Sequence, residues 1–220
     1  VCRLLEQMGD AAVYIGFDQV LKTPILIREY FPDTLSERMS DGALRVISGC
    51  ENPFREYYEK FRVHARSLAR MRELTSIVSV YDIFEQNQTA YTVSEYCEGN
   101  SLETRLKQIG GRMHWDEARP LFMPLIASLN SLHSAGIFHL GISPQNLIVG
   151  TDGKLHLQGF SIPDARRVNT DLRPHLLKGY SSPEQYALGQ DVGAKSDVYG
   201  LAATIFRTIT GAAPPEGSRR

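Results

Sequence analysis

Short apolar runs mark the first part of the chain. "AAVYIGFD" (11–18) and "PILIREYF" (24–31) are rich in β-branched and aromatic residues, are separated by "QVLKT", and predict two strands. "DTLSERMSDGA" (33–43) reads as a polar connection. From Asn52 to about Arg72 the period changes. Phe54, Tyr58, Phe61, Ala65 and Leu68 recur at three- or four-residue steps and predict a helix. "IVSVYDIFEQNQTAYTVSEY" (77–96) predicts a hairpin turning at Glu85–Thr89, and "EGN" (98–100) marks a boundary. Beyond it the pattern is mostly helical. Ser101 caps a short helix, "SLETRLKQI", that stops at Gly110-Gly111. "DEARPLFMPLIASLNSLHSAG" (116–136) predicts a longer helix, with an irregularity at Pro120 and Pro124. "LIVG" and "KLHLQ" predict two short strands joined by "TDG". An irregular stretch from about Ser161 to Gly179 precedes "SDVYGLAATIFRTITG" (196–211), a helix apolar nearly all round and therefore expected to be buried.

Composition excludes several functions. The chain of 220 residues carries 24 Lys and Arg against 25 Asp and Glu, so its net charge of −1 gives no electrostatic case for nucleic acid. The 3 cysteines, Cys2, Cys50 and Cys97, are odd in number and widely spaced, which argues against a disulfide framework or zinc site and for a reducing, cytoplasmic compartment. No apolar run approaches the ~18 residues of a membrane span. The start "VCRLLEQMGD" has neither an initiator Met nor a signal-peptide pattern and reads as a start inside a longer chain, one that membrane-anchors elsewhere being compatible with it.

The chemistry-bearing string is "GIFHLGISPQNLIVG" (136–150), followed by "LQGFSIP" (157–163). His139, a loop, Asn146 and an apolar strand come in that order. With "SSPEQ" and "SDVYGL" further on, the pieces resemble the protein kinase family, in particular bacterial serine/threonine kinase-like domains. The resemblance implies an α+β, bilobal protein kinase-like fold. Residues 1–98 would form an antiparallel-sheet N-lobe with one main helix, and 99–220 a partial, mostly helical C-lobe. The family continues with further helices after the one at 196–211. Those would cover Val198, Leu201, Ile205, Phe206 and Ile209 and supply an Arg partner for Glu184, so the chain reads as a fragment.

Each landmark is then a question of chemistry. Phosphoryl transfer needs positioning and charge neutralisation. The glycines of the family's phosphate-covering loop fall at Glu6, Met8 and Ala11, and Gly9 is displaced, so a simple hairpin turn is expected. The strand Lys falls at Arg28, which keeps charge but not geometry. Its helix Glu falls at His64, so the family's ion pair cannot form. Arg28 is expected at solvent or on Glu29 or Asp18, and His64 as a neutral, partly buried polar residue. The general-base Asp is Gly141, after Leu140 in place of Arg; losing a positioned base removes ~10²–10⁴ in rate. The metal-binding Asp is Gly159, followed by Phe160 and Ser161. Asn146 alone is a poor magnesium site, and its expected role is to hold the loop backbone. Leu26 replaces the family's Ala above the adenine; three more heavy atoms there overpack at ~1–3 kcal/mol. Val13, Leu26, Ser94, Glu95, Cys97 and Leu147 then form only a vestigial pocket.

His139, Phe160, Leu68, Glu184 and Asp197 match the family's structural positions. The resemblance therefore implies a pseudokinase: a catalytically inactive, protein-binding, scaffolding or regulatory module in phospho-signalling. No cofactor or metal is expected, and its partner would be an active kinase or a phosphopeptide-binding protein. The alternative is a divergent kinase with weak binding of ATP and magnesium. Thr170, near Arg166, Arg167 and Arg173, is a candidate phosphosite.

Overall fold

The computed structural model describes residues 3–217, and Cys2 lies outside them. The chain divides into two compact units, neither of them a continuous stretch. The first holds 1–72, 79–96 and 164–175, and the second 73–78, 97–163 and 176–220.

The first unit is built on a five-stranded antiparallel sheet. Its strands are β1 (Arg3–Gln7), β2 (Ala11–Asp18), β3 (Thr23–Tyr30), β6 (Val80–Gln86) and β7 (Thr89–Glu95), in the order β1-β2-β3-β7-β6. The polar connection at 33–43 contains a short strand, β4 (Ser36–Arg38), that pairs with β5 (Leu44–Val46) just beyond it. These strands are too short to show a period, yet Leu44 is buried in the core.

One helix, α1 (Glu51–Ala69), belongs to this unit and buries Tyr57, Phe61, Ala65 and Leu68. The ring of Tyr30, at the end of β3, lies 5.1 Å from Phe54, 5.6 Å from Tyr58 and 5.5 Å from Phe61, and its hydroxyl donates to the Phe54 carbonyl. Edge-on aromatic packing of this kind fixes the helix against the sheet.

The second unit joins a three-stranded sheet to three helices. β8 (Gly99–Ser101), β9 (Leu147–Gly150) and β10 (Leu155–Leu157) lie in the order β10-β9-β8. α2 spans Leu102–Gln108, and the Ser101 side chain accepts from the Thr104 N–H, the N-cap expected of it. α3 spans Trp115–Ser134 and starts at His114, whose N–H is held by the Glu117 carboxylate. The helix runs through both Pro120 and Pro124 without a break. They stand four residues apart on the exposed side, so water can serve the carbonyls they free.

α4 (Ala194–Thr210) leaves part of its apolar surface uncovered, on the residues that the family's further helices were expected to cover. Its buried side is Ser196, Asp197, Gly200, Ala203, Thr204 and Thr208, small and polar, while Val198 and Phe206 are exposed. Thr204 and Thr208 donate to the carbonyls four residues before them, which satisfies their hydroxyls without water.

Candidate functional site

The loop between α3 and β9 lies in the second unit. Its shape is set by buried polar contacts. Asp197, 1% exposed, accepts from the His139 N–H at 2.9 Å and the Leu140 N–H at 2.6 Å, and its carboxylate also meets His133 Nε2 at 2.9 Å. Leu140 has a φ of 58°, a left-handed conformation that costs a branched residue roughly 1–2 kcal/mol. Its carbonyl accepts from Gln185 Nε2 at 2.9 Å, so the peptide groups on both sides of the strained residue are held. The His139 ring lies 2.9 Å from the Gln158 carbonyl through Nε2, and its Nδ1 accepts from the Gly141 N–H at 3.2 Å. That assigns the neutral tautomer protonated on Nε2. The ring packs edge-on against Phe160 at 4.6 Å.

Asn146 turns inward on this loop. Its Nδ2 donates to the Gly141 carbonyl at 2.8 Å. A Cβ built on Gly159 would come within 2.9 Å of Asn146 Oδ1, and Gly159 has a φ of 81°. The position next to Asn146 is therefore closed to a side chain unless Asn146 moves. Leu147, the next residue, is fully buried.

A second polar cluster lies in the first unit. Asp10, fully buried in the β1–β2 turn, forms an ion pair with Arg28 of β3. The Arg28 guanidinium also sits 5.1 Å from the Phe61 ring centroid. The expected partners were Glu29, Asp18 or solvent. Strand alternation explains the correction: Arg28 and Glu29 face opposite sides of β3. Glu29 accepts instead from Tyr14 and Tyr91, each at 2.8 Å, and pairs with Arg38; Asp18 holds the N–H groups of Val20 and Leu21. His64 is half-buried on α1, and desolvation first, then Arg28, pushes its pKa down to about 4 against an opposing pull from Asp10.

The 164–175 segment closes over the β1–β2 turn within this same unit. The turn is tight, with the Met8 N–H on the Ala11 carbonyl at 2.7 Å. The Arg173 carbonyl stands 1.9 Å from where a Cβ on Gly9 would be, so only glycine permits the approach. Arg173 reaches Asp33 at 3.0 Å, and Asp171 accepts from Tyr57 at 3.1 Å and, through its carbonyl, from Thr34 at 2.7 Å. Arg166, fully buried, donates to the His175 carbonyl at 3.1 Å. Burial first and then Arg166 push His175 down to about 4, although Glu6 lies 3.5 Å from its ring. Thr170 donates to the Asp164 carbonyl at 3.0 Å, and Arg167 faces Asp164. The three arginines expected around Thr170 are thus engaged elsewhere.

Comparison with known proteins places these clusters. The protein kinase domain model matches residues 51–220. The chain belongs to the protein kinase family. It is 28% identical to the serine/threonine-protein kinase PrkC of Bacillus subtilis, over 99% of this chain and 31% of that protein. It is 31% identical to PksC of Streptomyces coelicolor, over 96% of this chain and 37% of that one. It is also 31% identical to sperm motility kinase 1 of Mus musculus, over 74% of this chain and 34% of that protein. The chain thus spans about a third of the length of these relatives. A solved structure, the apo form of PpkA-294, matches with a TM-score of 0.77 and 25% identity, over 99% of this chain and 77% of that chain. The fold and the likeness to bacterial serine/threonine kinases stand on these matches.

The family's cofactors can be tested against the side chains present. Magnesium needs oxygen ligands. Gly159 offers none, and Asn146, with its amide N–H on the Gly141 carbonyl, offers a single amide oxygen, a poor site by itself. Among the described residues no group of three or more His, Cys, Asp or Glu could hold a metal ion. A nucleotide triphosphate needs open backbone N–H groups and a free cation. Here the Met8 N–H is bonded within its turn, Arg173 covers Gly9, and Asp10 neutralises Arg28. Neither group fits the residues in place. Val13 and Leu26 are half-buried on β2 and β3, with Leu26 paired to Ile15 and Ser94; Glu95 ends β7, and Cys97 lies in the other unit.

Glu184 shows the same economy. Within this chain its carboxylate accepts from Ser196 of α4 at 2.7 Å. Burial pushes the Glu184 carboxyl up, but hydrogen bonds from Ser196, its own backbone and Ser182, with Lys195 nearby, bring it below the usual range. Sequence reasoning missed Asp10, His133 and Gln185, and read Arg166 as a phosphate partner rather than a buried cation. Only Asp10 gave a signal, as a carboxylate in the turn where glycine is the family's rule.

The two half-buried histidines, His64 and His175, predict an acid limit. Folded, they stay neutral down to about pH 4, while in the unfolded chain they take protons near 6.5. Below pH 6.5 the unfolded state binds more protons, so stability is full above that pH and falls as pH drops toward 4. Thermal melts across pH 7 to 4.5 should show a falling midpoint, less steep in His64→Gln. A level midpoint would show that these rings are not held neutral.

Proposed function

We propose that this chain is a catalytically inactive kinase-like domain that works by binding protein, as a scaffold or a regulator in phospho-signalling. One observation carries the reading most directly. The positions of the base and metal-site carboxylates are glycines, Gly141 and Gly159, which leaves one Asn146 amide oxygen where the family uses two acidic side chains as well. Asp10 on Arg28 supports it from the other unit, by supplying internally the negative charge that a phosphate would bring. The partner is a protein, an active kinase or a phosphopeptide-binding protein, in a reducing cytoplasmic setting. Among the described residues no helix is long and apolar enough to cross a membrane.

The second reading is a divergent kinase with weak ATP binding. The positive charge of Arg28, the retained Asn146 and the names of the relatives favour it. A labelled-phosphate transfer assay on a general protein substrate separates the two. The wild-type chain and the Gly141→Asp/Gly159→Asp variant should both stay at background. Asp at 159 would also meet Asn146 in a left-handed backbone, which costs about 1–2 kcal/mol. Magnesium-dependent incorporation by the wild-type chain would establish the second reading, and incorporation by the double variant alone would show that the nucleotide still binds.

A further inference from the structure

A cavity of about 400 Å³ opens in the second unit between α2, the start of α3 and the β9–β10 hairpin. Its apolar lining includes Ile109, Met113 and Leu121. Met113 is buried and supports the floor, while Ile109 is 37% exposed and offers a free apolar face. Arg105 and Arg112 also line it. Arg105 and Ile109 are one helical turn apart, so they share a side of the same segment.

The charges around this trough are unevenly spent. The neighbouring cations Lys107 and Arg207 share Glu103, at 3.6 Å and 3.3 Å. The one carboxylate lining the trough, Glu117, accepts from the His114 N–H and caps α3. Among the described residues no carboxylate pairs with Arg105 or Arg112. Two guanidiniums beside an apolar floor make a surface whose complement is a carboxylate next to a bulky apolar side chain. Arginine suits this use, because its planar fork binds a carboxylate through two parallel N–H groups and sheds water at lower cost than an ammonium.

We propose that this trough docks an acidic, leucine-containing segment of a protein partner, with its carboxylates on Arg105 and Arg112 and its apolar side chain over Ile109 and Met113. The proposal rests on the protein-binding reading above and gives that reading a surface. It involves none of the loop residues whose chemistry is lost, so it stands or falls apart from the transfer assay.

A phage-displayed random peptide library selected against the 220-residue chain tests it. The enriched peptides should combine two or more Asp or Glu with Leu, Met or Phe. By fluorescence anisotropy, a labelled enriched peptide should bind at least tenfold more weakly to Arg105→Glu/Arg112→Glu. It should also weaken in Ile109→Ser, weaken again as salt is raised, and keep its affinity for Lys178→Glu, an exposed cation outside the trough. Circular dichroism melts matching the wild-type chain keep a loss of binding from being a loss of fold. Enrichment of basic or wholly apolar peptides, no enrichment at all, or equal binding by the double variant would overturn the proposal. If transfer activity is absent while this selection fails, the inactive-kinase reading survives and the docking surface does not.

Discussion

Asp10→Ala is expected to lower the stability of the chain by about 3–5 kcal/mol, the usual cost of leaving one half of a buried ion pair behind. Asp10 is fully buried, and its pair with Arg28 lies beside His64 and Phe61. Without the carboxylate, the Arg28 guanidinium loses its ion pair beside a neutral histidine and an aromatic ring. His64 would become harder still to protonate, because Asp10 is the group that opposes its downward shift. Urea unfolding at pH 7 measures the effect. Replacing both members, as Asp10→Leu/Arg28→Met, should recover most of the loss, since the desolvation cost disappears with the charges. A change below about 1 kcal/mol in the single variant would mean that the pair is not a structural substitute for anything.

Asp197→Ala is expected to be comparably damaging. It orphans the His139 and Leu140 N–H groups and leaves His133 without its carboxylate. Each buried orphan costs about 1–3 kcal/mol. The loss also removes what holds Leu140 in its left-handed conformation, so the loop should relax and the His139–Phe160 contact should loosen. Hydrogen exchange at residues 139–146 is the sensitive readout: protection should fall there before it falls in α3. Exchange unchanged from the wild-type chain would show that the loop keeps its shape by other means.

Much of this architecture was legible from periodicity. The β2 and β3 runs, the aromatic spacing along α1 and the Ser101 cap all appear where the pattern puts them, because each is a local rule obeyed locally. The order of His139, Asn146, Phe160, Glu184 and Asp197 carried the family. What could not be read was long-range pairing. Nothing local tells Arg28 that its partner is Asp10 rather than Glu29; the sheet's alternation decides it. The Ser196 partner of Glu184 depends on how α4 is placed, and so does the small, polar buried side of that helix. The β4–β5 ribbon was invisible because three-residue strands have no period. The folding of the 164–175 segment over Gly9 rests on contacts between residues far apart in the chain, such as Thr34 with Asp171. Arg166 read as a candidate phosphate partner, when it is a fully buried cation inside that segment.

Thermal melting of the wild-type chain with ATP tests most directly the proposal that this domain no longer binds nucleotide and metal. A ligand at a hundred times its dissociation constant stabilises the folded state by about 2.7 kcal/mol, a shift of several degrees for a chain of this size. The account predicts no shift in the melting midpoint with millimolar ATP, with or without magnesium. A rise that appears with ATP and grows when magnesium is added would contradict it, because it would require a phosphate and metal site that Asp10, Gly159 and the Arg173 carbonyl are here argued to have replaced.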